Sequence, residues 1–293
     1  MHREYTLREA YRRASSFLQD NGAEENANFE AELLIRRLVG LDRTQFFMRL
    51  SDPFPTDMAT KLEEWLRRRA TGEPLQYIVG DQEFYGRVFQ VSPAVLIPRP
   101  ETELLIETVI DEAERRFAED ELRVVDVGTG SGAIAVTLAL EKPQWQLTAI
   151  DLSASALEVA QMNAARYGVR EQICWLQGDL LAPVGAGLSD IDILVSNPPY
   201  IPSQTVYELE RQVRDFEPHL ALDGGDDGLS PYRRMVSALA SVKAGPKLIC
   251  FEIGADQGRA VAELLASVCQ EVTVKQDLAG LDRIVVGWRS TVG

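Results

Sequence analysis

Histidine, cysteine and long apolar runs are scarce in this sequence of 293 residues, and each scarcity removes a class of chemistry. The only histidines are His2 and His219, and no cysteines cluster, which leaves little material for a histidine-based nucleophile triad or a zinc site. Three scattered cysteines (Cys174, Cys250 and Cys269) are odd in number and free of paired spacing. They read as buried thiols in a reducing compartment, and no metal is expected. The longest apolar runs, such as residues 133–140, fall far short of the ~20 residues a membrane-spanning helix needs. The opening Met-His-Arg-Glu-Tyr leads into a charged amphipathic pattern instead of an apolar signal segment, so a cytoplasmic protein is expected. Basic residues are also short: 30 Lys and Arg face 45 Asp and Glu, a net charge of −15. A protein that gripped a phosphate backbone over a broad face would carry a basic footprint, and this one does not. Solubility is the plainest reading of that charge.

The charge is unevenly spread. Residues 1–80 net −1 and the remainder −14, which suggests two units with different tasks. The first has helical patterning. Thr6 and Glu9 have capping-box spacing, and Leu7, Tyr11, Ala14 and Leu18 follow at helical steps until Asn21-Gly22. A second helix is expected from about Glu25 to residue 39, closed by Gly40, and a third over residues 56–70. Arg67, Arg68 and Arg69 end that third helix. They read either as a solvated end favoured by the helix dipole or as a docking patch for an acidic or nucleic-acid-bearing partner. Gly72-Glu73-Pro74 breaks the pattern. Short β-like pieces over residues 84–91, with Gly86 at a turn, then lead to the stiff Ile97-Pro98-Arg99-Pro100. The expected organisation is a helical domain over 1–80, a β-hairpin linker over 81–100 and a catalytic domain over 101–293.

From residue 101 apolar strands alternate with helices, the signature of a parallel sheet covered on both faces. Strands are expected at 122–127, 147–151, 173–177, 191–196 and 247–253. A closing antiparallel pair follows at 271–276 and 283–288. Seven strands with that final reversal match the methyltransferase variant of the doubly wound, Rossmann-like α/β fold.

Three strand ends carry candidate ligand contacts. Gly128-Thr129-Gly130-Ser131-Gly132 follows the first strand and opens a helix, so its glycines permit a tight turn and close approach of a nucleoside. That loop alone does not separate a nicotinamide dinucleotide from S-adenosylmethionine. Asp151 ends the second strand, where a carboxylate can accept from both ribose hydroxyls or help cap the next helix beside Ser153. Asp179, in Gly178-Asp179-Leu180, suits either an adenine amino group or a plain turn.

Ser196-Asn197-Pro198-Pro199-Tyr200 ends the fourth strand, facing the crevice where open α/β sheets bind ligands. An amide or amino nitrogen attacking a methyl sulfonium must have its lone pair freed and aimed. The side-chain oxygen of Asn197 and the carbonyl of Pro198 can accept the two N–H bonds and hold the nitrogen in line. The prolines forgo N–H donors, and Tyr200 can pack on a planar substrate group. Glu252, at the end of a later strand, fits a supporting or structural role.

These motifs together resemble the protein-(glutamine-N5) methyltransferases of peptide-chain release factors. The resemblance runs through residues 72–78, Ile97-Pro98-Arg99-Pro100-Glu101-Thr102-Glu103, residues 126–132, Asp151, Asn197 to Tyr200, residues 221–229 and residues 277–283. It implies an S-adenosylmethionine-dependent enzyme whose helical domain helps to hold the release factor and whose acceptor is the glutamine of a Gly-Gly-Gln loop. Cofactor contacts are implied at Gly128 to Gly132, Asp151, the Asp179-Leu180 pair and Asn197, and substrate contacts at Asn197, Pro198, Pro199 and Tyr200. Some relatives carry tryptophan where this chain has Leu180, so stacking on adenine would become apolar contact. A monomer without stable nucleic-acid or membrane binding is expected. The alternative is an amino-methyltransferase acting on adenine or guanine, which shares the Asn-Pro-Pro-Tyr motif and calls for a basic groove around the crevice.

Overall fold

A computed structural model describes residues 5–22, 26–118 and 121–289; His2 and the expected helix start at Glu25 lie outside them. The chain divides into two compact units. The smaller holds residues 1–80 together with 211–216, and the larger holds 81–210 and 217–293.

The smaller unit is helical: α1 (Leu7–Asp20), α2 (Ala27–Val39), α3 (Arg43–Met48), α4 (Ala59–Ala70) and α5 (Leu75–Val79). The Thr6 hydroxyl accepts from the Glu9 N–H at 3.2 Å while the Glu9 carboxylate accepts from the Thr6 N–H at 2.8 Å, a complete capping box. A second box, Asp42 with Gln45, starts α3, a helix too short for apolar periodicity to reveal. Leu7, Ala14, Leu18, Leu34, Ile35, Phe46 and Trp65 build the core. All three arginines at the end of α4 are paired: Arg69 with the Glu30 carboxylate at 2.7 and 2.9 Å, Arg68 with Glu73, and Arg67 with Glu63 on the exposed face. Arg68 and Arg69 therefore tie α4 to its neighbours within the unit instead of forming a free basic patch.

In the larger unit, β1 (Asp81–Phe84) and β2 (Arg87–Gln90) form a hairpin. Tyr85 and Gly86 both have positive φ at its turn, as a two-residue mirror-image turn requires, and Glu103 accepts the Tyr85 N–H at 2.7 Å. Helix α6 (Glu101–Arg116) then precedes β3 (Arg123–Val127), α7 (Ala133–Glu141), β4 (Gln146–Asp151), α8 (Ala154–Arg166), β5 (Ile173–Gln177) and β6 (Ile193–Ser196). Short helices α9 (Ser203–Val206) and α10 (Arg211–Arg214, grouped with the smaller unit) interrupt the Pro-rich stretch. Helix α11 (Ser230–Ala240), β7 (Leu248–Glu252), α12 (Gly258–Ala266), β8 (Glu271–Gln276) and β9 (Asp282–Trp288) complete the chain.

The seven-stranded sheet has the order β5-β4-β3-β6-β7-β9-β8, parallel except for β9, which runs antiparallel to both neighbours. Strand residues alternate between two apolar layers, as the two-residue pleat demands. Val124, Leu147, Ala149, Ile193 and Val195 face α6, α7 and the hairpin. Val125, Val127, Ile150, Leu194 and Ile249 face α11 and α12. From β3 the chain proceeds outward through β4 and β5, then returns to β6 on the other side of β3. That reversal opens a crevice beyond the carboxyl ends of β3 and β6.

Candidate active site

A cavity of about 460 Å³ lies at those strand ends, within the size range of small-molecule sites, ~300–1,000 Å³. One wall is the loop between β3 and α7. Gly128, Gly130 and Gly132 all have positive φ, and the loop is closed by its own backbone. The N–H groups of Gly128 and Thr129 both donate to the Ile150 carbonyl, and Gly132 donates to Thr129. Gly130 donates to the Asp151 carboxylate at 2.8 Å. These four loop donors are therefore committed within the protein. A Cβ at Gly132 would lie 3.0 Å from that of Ala160, so α8 packs directly on the turn.

Asp151 accepts from Gly130 with one oxygen and from the Ser153 N–H, at 2.9 Å, with the other. Ser153, not Asp151, caps α8, its hydroxyl accepting from the Ala156 N–H. Each carboxylate oxygen keeps acceptor capacity toward the cavity, which Asp151 lines. Burial pushes its pKa up, against hydrogen bonds from Ser153 and Gly130 that hold it down. Beneath the loop Asp126 is fully buried and accepts from the Thr129 hydroxyl at 2.7 Å. Burial pushes its pKa up to about 7.

At the far end of the cavity, Asp179 forms an ion pair with Arg234 of α11, and both line the wall. Leu180 lines it too, in a left-handed conformation with φ 49°. A Cβ on Gly178 would sit 2.4 Å from Pro183 Cγ, so only glycine fits the turn that presents this pair.

Asn197 and Pro199 line the cavity next to the glycine loop, whereas Pro198 is buried and neither Pro198 nor Tyr200 is among the lining residues. Tyr200 packs behind the wall, beside Glu252 and Arg283. Its phenol pKa is pushed up to about 12, by burial first and by the Glu252 charge second. The backbone here is tightly held. The side-chain amide of Gln257 donates to the Tyr200 carbonyl at 2.9 Å, and Cβ atoms at Gly224 and Gly228 would meet the Pro199–Tyr200 backbone at 2.8 Å or less.

Asn197 itself is oriented by groups distant in sequence. Its Nδ2 donates to the Thr102 hydroxyl at 3.1 Å, which leaves Oδ1 as the acceptor free for a ligand. Glu252, 1% exposed at the end of β7, lies behind this pair. Burial pushes its pKa up to about 7, partly offset by hydrogen bonds from Thr102 and Asn197.

Residues 94–99 and 218–225 complete the enclosure. The Arg99 guanidinium pairs with the buried Glu217, whose other oxygen accepts from the Ile97 N–H at 3.1 Å, joining the two segments. Sequence reasoning named neither Thr102, Glu217, Arg99 nor Arg234 as part of a site. For Arg99 and Thr102 the only available signal was their position inside the family-like segment 97–103; Glu217 and Arg234 lie outside those segments, and none of the four forms a local motif.

Known proteins can now be set beside this geometry. A family model described as the PrmC N-terminal domain matches residues 9–80, and one described as the methyltransferase small domain matches residues 100–224. The release factor glutamine methyltransferase of Bacillus subtilis (strain 168) is 42% identical over 283 residues, covering 96% of each chain. That of Bacillus anthracis is 40% identical over 279 residues, covering 94% of this chain and 97% of the relative. This chain belongs to the release factor glutamine methyltransferase family. It is an enzyme with a methyltransferase domain. Among solved structures, the N-terminal domain of human METTL16 matches with a TM-score of 0.54 at 16% identity, covering 92% of this chain and 96% of that one. The hMettl16 catalytic domain in complex with the MAT2A 3'UTR hairpin 6 matches with a TM-score of 0.55 at 15% identity, covering 80% and 93%. Both establish the seven-stranded methyltransferase fold. Among the described residues, no helix is long and apolar enough to cross a membrane and no group of side chains could hold a metal ion.

Proposed function

We propose that this enzyme transfers a methyl group from S-adenosylmethionine to the side-chain amide nitrogen (N5) of the glutamine in the Gly-Gly-Gln loop of peptide-chain release factors. The observation that carries the reading is the orientation of Asn197. With Nδ2 turned to Thr102, its Oδ1 is a fixed acceptor on the cavity lining beside the glycine loop, at the ends of the paired strands β3 and β6. An amide nitrogen is a poor nucleophile, so accepting its N–H bonds and aiming its lone pair addresses the difficult part of the reaction. Pro198 lies immediately beyond, and its carbonyl is suited to the second N–H. Tyr200 supports the turn from behind, and a direct contact with the substrate requires the bound factor to reach it.

The residues present fit an adenosyl cofactor. Asp151 keeps lone pairs for two ribose hydroxyls; Asp179 and Leu180 suit an adenine amino group and ring; residues 128–132 and Asn197 border the remaining space. When bound, this cofactor supplies an electrophilic methyl group on a positively charged sulfur. The protein positions the acceptor, excludes water and needs no strong base, because the alkylated amide loses its proton readily. Relatives named release factor glutamine methyltransferase and a METTL16 structure solved with SAH support the same assignment. The smaller unit, which matches the PrmC N-terminal domain, is suited to hold the factor.

Incubation with labelled S-adenosylmethionine, a purified release factor and its Gln-to-Ala loop variant tests the reading. Label is expected on the unmodified factor alone. Label on nucleic acid and none on the factor overturns it in favour of a nucleobase amino-methyltransferase.

A further inference from the structure

Glu252 lies just beyond the cavity, and its surroundings do not suit a purely structural carboxylate. It is almost completely buried, and its Oε2 has no hydrogen-bond partner among the described residues. A carboxylate placed only for stability would be expected to have both oxygens satisfied. Arg283 on β9 is its nearest compensating charge. Glu101 on α6 opposes ionisation, and the phenols of Tyr200 and Tyr232 also face it. The Tyr232 hydroxyl donates to the Glu252 backbone carbonyl at 2.7 Å, which anchors the end of β7 on α11 without using the carboxylate.

The carboxylate instead faces Thr102 and Asn197. Because the Thr102 hydroxyl accepts from Asn197 Nδ2, its own proton is free to be donated to Glu252. A hydrogen-bonded chain thus runs from a buried carboxylate through Thr102 to the Asn197 amide that borders the cavity.

We infer that Glu252 is a positioning residue for the methyl-transfer reaction: as the anion it fixes the rotamer and amide orientation of Asn197 and polarises that amide, so that Oδ1 better accepts the N–H of a substrate nitrogen gaining positive charge. This rests on the proposed amide-methylation reading. The physical warrant is electrostatic preorganisation. A fixed negative charge behind an acceptor, in a dry site, stabilises charge that develops only in the transition state. The raised pKa of Glu252 has a consequence that can be measured. The carboxylate is ionised only toward neutral pH, so turnover should rise as pH increases through its titration.

The test compares the full-length enzyme with Glu252→Gln, Thr102→Val and Thr102→Ser, using labelled S-adenosylmethionine and a release factor. Glu252→Gln is expected to lower kcat by about 10- to 100-fold, with cofactor Kd and release-factor KM changed less than about threefold, and to flatten the acid limb of the kcat–pH profile. Thr102→Val should behave similarly, and Thr102→Ser should recover most of the rate. A kcat within about twofold of wild type in Glu252→Gln overturns the inference, as does a rate loss matched by an equal loss of cofactor affinity. A second readout does not depend on the substrate. The side-chain amide resonances of Asn197 in ¹⁵N-labelled protein, assigned by their loss in Asn197→Ala, should titrate with pH in the wild type and not in Glu252→Gln. If the wild type fails to label any release factor, the reading of the reaction fails. The amide resonances then decide the contact, and an Asn197 signal indifferent to Glu252→Gln overturns it.

Discussion

The two walls of the cavity are built by opposite strategies. The glycine-loop wall is local: within residues 126–132 the backbone satisfies itself against Ile150 and Asp151, one strand away, and its shape follows from three positive-φ glycines. The Asn197 wall is assembled from afar. Its orientation depends on Thr102 at the start of α6, Glu252 at the end of β7, and the Gly224–Gly228 and Gln257 contacts that pin the following turn. The first wall offers a ligand a fixed backbone shape and one carboxylate. The second holds a side chain in one orientation, which suits chemistry more than affinity.

Exchanging residues between these strategies breaks or sharpens the contrast. The largest effect is expected at Asn197→Ala, which should reduce kcat by about 10²–10³-fold while cofactor Kd moves less than about threefold by calorimetry. Equal losses in both would merge the two walls into one function. Next is the pH dependence of stability in Glu252→Gln. The native pKa of Glu252 is raised from 4.5 to about 7, so the folded state binds this proton more tightly than the unfolded one. Wild-type stability from this group is therefore full below pH ~4.5 and lost as pH rises through ~7. The variant should gain on the wild type by on the order of 2–3 kcal/mol between pH 4.5 and 8 in denaturant titrations. A pH-independent difference would mean that the carboxylate stays neutral.

On the loop wall, Gly132→Ala should destabilise by roughly 1–3 kcal/mol, because φ is positive there and the new Cβ meets Ala160 at 3.0 Å. Gly130→Ala, with positive φ but open space around the new atom, should cost only about 1 kcal/mol, both variants being read in denaturant titrations. The smallest effect belongs to Arg234→Ala. Its ion pair with Asp179 is half-exposed, so stability should change by less than about 1 kcal/mol, read against any change in cofactor Kd.

Much of the scaffold was legible because its signals are short-ranged. Apolar alternation located the seven strands, and the 277–282 connection correctly implied the antiparallel closing pair. The Thr6–Glu9 box marked the start of α1. Helix α3 was not visible, because six residues carry too little periodicity, and neither was α5, five residues directly after the Gly72-Glu73-Pro74 break. The arginines ending α4 had two readings in sequence. Only folding shows Arg69 meeting Glu30, 39 residues away.

By itself, then, the sequence determined the order of the seven sheet strands and the long helices between them, the tight glycine turn and the placing of Asp151, Asp179 and Asn197 at strand ends, since each depends on neighbours within a few residues. Tertiary structure alone decided which face of the Asn197 amide meets the cavity, that Tyr200 lies behind the wall, and that Glu252 and Thr102 stand next to the candidate chemistry. Those outcomes are set by groups 55 and 95 positions from Asn197, brought together where the carboxyl ends of β6 and β7 meet the start of α6.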